Sequence, residues 1–342
     1  MASKLGEIVY VNGKYVDKKD AKISIFDRGF IFGDGIYEVV PIINSNLANK
    51  DDFWERFTRS LNEIEIKLNF TKEQVLEIIY NLIKKNNIIE GAVYLEITRG
   101  VAPRNFIFLD DLEPTFVSFV YECEILNNPL AKSGIKIIST DDLRWKRRDI
   151  KSVSLLAQCI AKTKAYKLGA NECIMVENGH ITEGGSSSFF IVKDDVLITK
   201  PLSNEILPGI RRKTILKIAS KLNLKVDERN ITLDEAYKAN EVFMSAATWV
   251  LLPVIQIDDK PINGGKIGKW SKILRDEYVK VIKKEVGLIW NFKLNENVDI
   301  VDENTIVVGN DNNFPKSSSR EPNTADDNEV ILLEVSDFLK AK

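Results

Sequence analysis

Along the first half of the chain, apolar residues switch between the period of two that marks a half-buried strand and the period of three to four that marks an amphipathic helix. Residues 8–11 and 14–16 read as strands, and the Asn12-Gly13 pair between them is a strong hairpin signal. An apolar stripe follows at helical spacing (Phe53, Phe57, Leu61, Ile64, Leu68), with Asp51 or Asp52 available to cap it. Thr71 and Gln74 form a capping-box pattern ahead of a second helix carrying Val75, Ile78, Ile79 and Leu82. Residues 92–98 and 115–121 return to strand, which gives an α+β first domain over residues 1–124. Residues 125–133, containing Asn-Asn-Pro, are the expected linker. The second half interleaves β-rich runs at 135–139, 172–176, 188–192 and 196–199 with helical stretches near 152–168 and 209–222. The latter stretch starts after Pro208 and places Ile210, Ile215, Ile218, Ala219 and Leu222 on one side. A final amphipathic helix over 267–286 completes a second domain, residues 134–287. Residues 309–328 are rich in Asn, Asp, Ser, Pro and Lys, with too little apolar surface to offset the cost of ordering. Residues 288–342 are therefore expected to be an extra, partly disordered tail, with a short strand or helix at 330–339. No internal repeat is present.

A chain of 342 residues suffices for two domains and a sizeable buried site between them. Its 44% hydrophobic and 29% charged content is that of a soluble globular protein, and no apolar run approaches the roughly 20 residues of a membrane helix. The first ten residues lack the apolar block that secretion requires, so a cytoplasmic location without membrane association is expected. The three cysteines fit neither a CxxC redox pair nor a zinc ribbon and read as reduced. The single histidine, His180, sits in a tight turn and supports neither a Ser-His-Asp triad nor a HExxH zinc site; no metal is expected. The net charge of −2, with both signs interspersed, leaves no basic face for nucleic acid.

Four clusters carry residue types that a core does not need. The first runs from Asp27 to Val40 and contains Gly29, Gly33 and Gly35 beside Tyr37 and Glu38. Gly33 and Gly35 permit positive φ or a close backbone approach to a ligand that Tyr37 would face, although an ordinary turn reads the same way. The second, Arg144-Trp145-Lys146-Arg147-Arg148-Asp149-Ile150-Lys151-Ser152, resembles a solvated charge run. Ile150 and Val153, however, flank Lys151 with apolar neighbours, which points this lysine inward while the other cations stay wet. A partly desolvated lysine beside cations has a lowered pKa and becomes the nucleophile that Schiff-base chemistry needs. The third, Thr182-Glu183-Gly184-Gly185-Ser186-Ser187-Ser188, offers N–H groups and hydroxyls to an anion, or is simply a flexible turn; Glu183, entering an apolar strand region, requires a cationic partner. The fourth, Leu207-Pro208-Gly209-Ile210-Arg211-Arg212, opens a helix whose N-terminus suits a phosphate, although helices also start this way without ligands.

In this order the clusters resemble the class IV aminotransferases, the fold-type IV pyridoxal-phosphate (PLP) family, from about Val9 to about Val286. The likeness is closest to the D-amino-acid aminotransferases, through Asp27-Arg28-Gly29 with residues 33–40, Thr98-Arg99-Gly100 with Pro103-Arg104, and Asp149-Ile150-Lys151-Ser152 with Thr182-Glu183-Gly184. The resemblance implies a two-domain α+β fold, with a small N-terminal α/β domain and a larger β-barrel-like C-terminal domain flanked by helices. By the same resemblance Lys151 holds PLP as a Schiff base and moves the α-proton, and Glu183 pairs with the pyridine nitrogen. Arg56 matches the family's phosphate-binding arginine, and Ser186, Ser187, Ile210, Arg211, Ala246 and Ala247 fall around the phosphate. Leu207 packs on the ring. Tyr37 and Arg104 match positions that hold the substrate carboxylate, Arg104 coming from the partner of a homodimer. The implied reaction moves an amino group from a D-amino acid of the D-alanine or D-glutamate type to a 2-oxo acid.

Departures from the pattern are Arg104-Asn105-Phe106 where Arg-x-His is usual, Ser245-Ala246-Ala247-Thr248 where Ser/Thr residues are frequent, and Arg211 where threonine is common. Phe106 would make one wall of the substrate pocket apolar. Branched-chain aminotransferases, which show Gly and then a basic residue where this chain has Val39-Val40-Pro41, are the main alternative. Aminodeoxychorismate lyases and amine transaminases of the same fold are others. A non-catalytic PLP binder would need neither Lys151 nor Glu183.

Overall fold

A computed structural model describes residues 4–109, 111–288, 298–302, 305–308 and 331–334. Met1–Ile289 form one unit and Trp290–Lys342 a second. Among the described residues, no helix is long and apolar enough to cross a membrane.

The first sheet is antiparallel throughout. Its order is Lys14–Asp17, Ile8–Val11, Thr115–Glu122, Gly91–Thr98, Gly35–Ile43 and Asn46–Leu47, with Lys4–Leu5 also against Thr115–Glu122. Asn12 and Gly13 both take positive φ, 46° and 87°, as the expected hairpin turn requires. The helices Lys50–Glu63 and Lys72–Asn86 bury Phe53, Phe57, Leu61, Val75, Ile79 and Leu82 in the same core as the sheet's Ile36, Val40, Val93 and Leu95. Thr71 and Gln74 make the reciprocal capping box. Neither Asp51 nor Asp52 caps the first of these helices. The N-cap is Asn49 at φ 61°, its amide donates to Glu285 Oε1 (2.6 Å), and the two aspartates lie in the first turn.

The second sheet has the order His180–Gly184, Glu172–Glu177, Ile135–Asp141, Leu252–Ile257, Glu241–Ser245, Ser188–Lys193, Val196–Thr199 and Lys225–Glu228, with Lys260–Pro261 beside Leu252–Ile257. His180–Gly184 passes into Ser188–Lys193 through residues 185–187, although four strands lie between them in the sheet. Four peptide steps reach at most about 14 Å, whereas five strand spacings of a flat sheet come to about 24 Å. The sheet must therefore curl, and the hollow of the resulting half-barrel opens beside that turn.

The helices Leu156–Lys167, Ile210–Lys221 and Lys269–Glu285 pack around this sheet. The first begins four residues later than expected, because Ser152 bridges to Ile36 and Val153 N–H donates to Gly35 O (3.1 Å), which holds this backbone extended. The glycine-rich first cluster contains an unanticipated helix, Arg28–Phe32, capped by Asp27 and ended by Gly33 at φ 67°. Gly35 serves a close approach to a neighbouring strand and not to a ligand, since a Cβ there would lie 2.7 Å from Ile97 O. In the C-terminal unit, Val298–Asp302, Thr305–Val308 and Ile331–Glu334 form an antiparallel sheet. The expectation of disorder over residues 309–328 lies outside the described residues.

The helix Lys269–Glu285 has a glycine N-cap, and the buried carboxylate of Glu241 replaces the missing cap. It accepts from Trp270 N (2.9 Å), Ser271 N (2.8 Å) and Ser271 Oγ (2.8 Å). A Cβ on Gly268 would collide with that carboxylate. Glu241→Ala and Gly268→Ala are each expected to destabilise the protein by about 1–3 kcal/mol, the cost of leaving buried donors unpaired or of displacing their acceptor. Thermal midpoints and urea titrations check this, and stability equal to wild type in both variants would remove Glu241 as the cap.

Candidate active site

A cavity of ≈490 Å³ lies where the first sheet, the hollow end of the second and the start of Ile210–Lys221 meet. That volume falls within the range of small-molecule sites. Lys151 reaches it because its backbone is stitched to the first sheet: Tyr37 N–H donates to Lys151 O (2.9 Å), and Ile150 is buried in the same core. Preceding residues anchor this segment from outside, with Asp149 paired to Arg59 (2.5 Å) and Arg147 (3.0 Å). Lys151 Nζ sits 4.1 Å from the centroid of the Tyr37 ring, and among the described residues no carboxylate pairs with it. Tyr37 is steadied by stacking on Tyr94 (5.6 Å).

Glu183 enters from His180–Gly184 at an irregularity in that strand's pairing and is buried. The cationic partner required of it is Arg144, whose Nη1 donates to Glu183 Oε1 (2.5 Å); Leu207 N–H donates to the same carboxylate (3.2 Å). Arg144 is itself oriented by Asp142 (2.7 Å), which also accepts from Thr182 Oγ1 (2.6 Å). Burial pushes the Glu183 carboxyl up, against the opposing pull of Arg144. Burial also favours neutral Asp142, but the bonds and charge of Arg144 prevail and hold its carboxyl below the usual range. The expectation that the cations around Lys151 stay wet is therefore corrected. Lys146 is exposed and Arg147 half-buried, whereas the side chains of Arg144 and Arg148 are buried against Asp142, Glu177 and Glu183.

Donors collect at a further part of the same cavity. Gly209 caps the helix Ile210–Lys221 with no side-chain acceptor for its first-turn N–H groups, and Gly209, Ile210 and Arg211 line the cavity with Ala246, Ala247 and Thr248. Ser187 Oγ and Ser245 Oγ are buried there without hydrogen-bond partners among the described residues, as hydroxyls that a polar ligand would satisfy. Ser186, by contrast, is engaged with Lys162 (2.9 Å) and Glu172 (3.3 Å). Arg56 lies buried with Nε and Nη2 each 2.7 Å from Glu38, which leaves Nη1 less committed, 3.4 Å from Pro208 O. The Arg211 side chain turns to Asn49 Oδ1 (2.8 Å) and Ala247 O (2.9 Å).

The structure thus brings Lys151, Glu183, Arg56, Ser186, Ser187, Leu207, Ile210, Arg211, Ala246, Ala247 and Tyr37 to one cavity. It does not bring Arg104 and Phe106 to it. Phe106 is 74% exposed and borders a separate hollow with Phe32 and Trp145, and Arg104 stacks over the rings of Phe32 and Phe106 (5.7 and 5.2 Å). Sequence reasoning missed Asn49 and Tyr121 on the cavity wall, and placed Ser245 only in a run that departs from a family pattern. No pattern flags the first two, because each stands alone in an ordinary element. Burial pushes the Cys123 thiol up to about 11 and the Cys173 thiol up to about 12, so neither is a ready thiolate.

The chain matches the family "Amino-transferase class IV" over residues 35–257. It is 39% identical over 278 residues to the D-alanine aminotransferase of Staphylococcus aureus (strain N315), which covers 81% of this chain and 98% of that protein. It is 36% identical to the D-alanine aminotransferase of Listeria monocytogenes serotype 1/2a (strain 10403S), covering 82% and 97%. Among solved structures, the T.th. branched-chain amino acid aminotransferase with pyridoxamine 5′-phosphate is similar, with TM-score 0.76, 22% identity, and coverage of 81% of this chain and 94% of that one. The curled sheet, the cavity it opens on and the match across residues 35–257 together place this chain among the class IV aminotransferases, PLP-dependent enzymes of fold type IV.

Proposed function

We propose that the enzyme transfers the amino group of a D-amino acid, of the D-alanine or D-glutamate type, to a 2-oxo acid, with Lys151 as its catalytic residue. One observation carries the reading. A lysine amine free of carboxylate partners among the described residues and a buried carboxylate held by Arg144 face a single cavity that ends in unsatisfied donors. The relatives named D-alanine aminotransferase, matched along nearly their whole length, support the D-configured substrate.

PLP bound there supplies an electron sink for the carbanion left when the substrate α-proton departs. Its phosphate would be held by the first-turn N–H groups of Ile210 and Arg211, by Arg56 Nη1, by the hydroxyls of Ser187 and Ser245 and by the turn at Ala246 and Ala247. Ser186 contributes less, being bound to Lys162 and Glu172. Leu207 bounds the ring and, through its N–H, fixes Glu183. Lys151 Nζ would anchor the cofactor at rest and, once free as an amine, would take and return the substrate's α-proton. Glu183, made more basic by burial, would face the ring nitrogen and keep a proton there.

The substrate carboxylate lies towards Tyr37. Arg104 and Phe106 act from the second copy of a homodimer, since each chain carries them away from its own lysine. Exposed Phe26, Phe30, Phe106, Ile107, Leu143 and Leu156 supply the apolar surface that such a dimer would cover. A first domain of residues 1–124, a linker at 125–133, a second domain of 134–287 and a cytoplasmic location complete the proposal.

Incubation with D- or L-alanine and 2-oxoglutarate, followed by chiral analysis of the products, tests the substrate. D-glutamate from D-alanine is the expected result, and turnover confined to L-alanine would overturn it. Borohydride reduction is expected to fix the cofactor on the peptide containing Lys151, and Lys151→Ala to lose turnover with no rescue by Lys146; a label on another lysine refutes the assignment.

Glu183→Gln removes the charge opposite the ring nitrogen and should slow transamination by a few kcal/mol, roughly 10²-fold or more, while cofactor is retained. Arg144→Met removes the cation that opposes burial at Glu183. The carboxyl then rises further, so its ionised form is lost at a higher pH. The acid limb of the pH–rate profile should move upward, and an unmoved limb would show that Arg144 does not act through Glu183.

A further inference from the structure

The turn of residues 246–251, after the strand Glu241–Ser245, frames the donor-rich part of the cavity. Val250 within it is fully buried at φ 62°, in the left-handed region that a β-branched side chain disfavours, so the surrounding structure must hold it there. Two arginines do so through the turn's carbonyls. Arg211 Nη2 donates to Ala247 O (2.9 Å), and Arg275 Nη1 donates to Trp249 O (2.6 Å) and Leu251 O (2.7 Å). Arg275 Nη2 reaches Ile125 O (3.1 Å) and Leu126 O (2.9 Å). Arg211 Nη1 donates to Asn49 Oδ1 (2.8 Å), and its guanidinium lies 5.0 Å from the centroid of the Tyr278 ring.

Both guanidinium groups are buried, at 4% and 7% exposure, and among the described residues neither has a carboxylate within salt-bridge distance. Burial, and then the charge of Arg211, hold Arg275 below its ordinary value against the pull of Asp276. The charge of Glu285, bonded to Asn49 N–H, acts on Arg211 from beyond salt-bridge distance. Two buried cations without directly paired counter-charges remain costly unless further negative charge is nearby. The second observation that points to a ligand is independent of them: Ser187 Oγ and Ser245 Oγ, in residues 6% and 2% exposed, line the same cavity with no partner among the described residues.

We infer that Arg211 is a positioning residue for the phosphate of the cofactor, an inference that rests on the cavity being the PLP site. Its fork ties residues 246–248 to Asn49 and to the N-terminus of its own helix, with Arg275 fixing the other end of the turn. The phosphate dianion would be bound by backbone N–H groups, Arg56 Nη1 and the two serine hydroxyls, while the Arg211 guanidinium would supply positive potential without touching it. A guanidinium on a carbonyl also polarises that peptide unit, which makes the N–H of Thr248, next to Ala247, a better donor. Lysine cannot reproduce this, because one ammonium does not offer the fixed fork that spans Asn49 Oδ1 and Ala247 O.

The test compares PLP with pyridoxal, which lacks the phosphate. Apparent dissociation constants for both, and for inorganic phosphate, are measured by fluorescence titration or calorimetry on the full chain and on Arg211→Lys, Arg211→Met and Arg275→Lys. Arg211→Met is expected to weaken PLP and inorganic phosphate by about 10-fold or more, through loss of a buried positive charge near the dianion and of the bonds that hold its donors in place. Pyridoxal should change by less than about 2-fold, and both lysine variants should fall between. Thermal midpoints show which variants fold, and Arg211→Lys carries the comparison if Arg211→Met does not. Equal weakening of PLP and pyridoxal, or no weakening of either, overturns the inference. A wild-type protein that binds no PLP sinks the aminotransferase reading instead. The inorganic phosphate titration then decides the role of Arg211 alone, with an unchanged affinity in Arg211→Met counting against it.

Discussion

Two backbone hydrogen bonds, Tyr37 N–H to Lys151 O and Val153 N–H to Gly35 O, join the chain around the lysine to the strand Gly35–Ile43 of the antiparallel sheet. Because this segment is extended, successive side chains alternate in direction. Lys151 thereby lies against the Tyr37 ring while Ile150 enters the core beneath. The lysine is thus placed by its neighbours' packing and needs no partner of its own, which leaves its amine available for chemistry. The remaining walls are arranged around that fixed point by the curl of the second sheet.

Electrostatics inside the cavity follow a division of labour. Near Glu183, each buried charge has a partner: Glu183 has Arg144, Arg144 has Asp142, and Asp142 has Thr182 as well. Such a chain fixes protonation states tightly, since changing one member leaves another uncompensated. Near the other end, hydroxyls and first-turn amides are left unmatched. A ligand with a basic heterocycle at one end and a dianion at the other meets both demands at once.

Much of this is legible in the residues. The stripe Phe53, Phe57, Leu61 and the box Thr71 to Gln74 need only local periodicity and capping chemistry, and they appear in the structure where the pattern puts them. Lys151 and Glu183 stand out because an inward lysine and an unpaired carboxylate in an apolar setting each demand an explanation. Arg144 cannot be separated from Lys146 and Arg147 in the same way, because a run of cations carries no signal for which member folds inward; that depends on Asp142 and Glu183, brought near by the sheet. The helix Arg28–Phe32 is hidden by the glycines around it, one of which is its terminator. Arg211 is visible as one of two arginines at a helix start suited to a phosphate, but its bonds to Asn49 and Ala247 are not, because they join segments far apart in sequence.

The register of the second sheet also bears on how the protein comes to be made. Ile135 pairs with Val254, and the strand that carries Val254 also pairs with the one ending at Ser245 on the cavity wall. Contacts so distant along the chain form slowly and only after both partners are available. During synthesis the first sheet can close as soon as residues up to Glu122 have emerged, yet the hollow beside Lys151 lacks the wall formed by Ser245, Ala246, Ala247, Thr248 and Trp249 until that turn leaves the ribosome. A pocket completed this late can take up a ligand only after most of the described chain has been made.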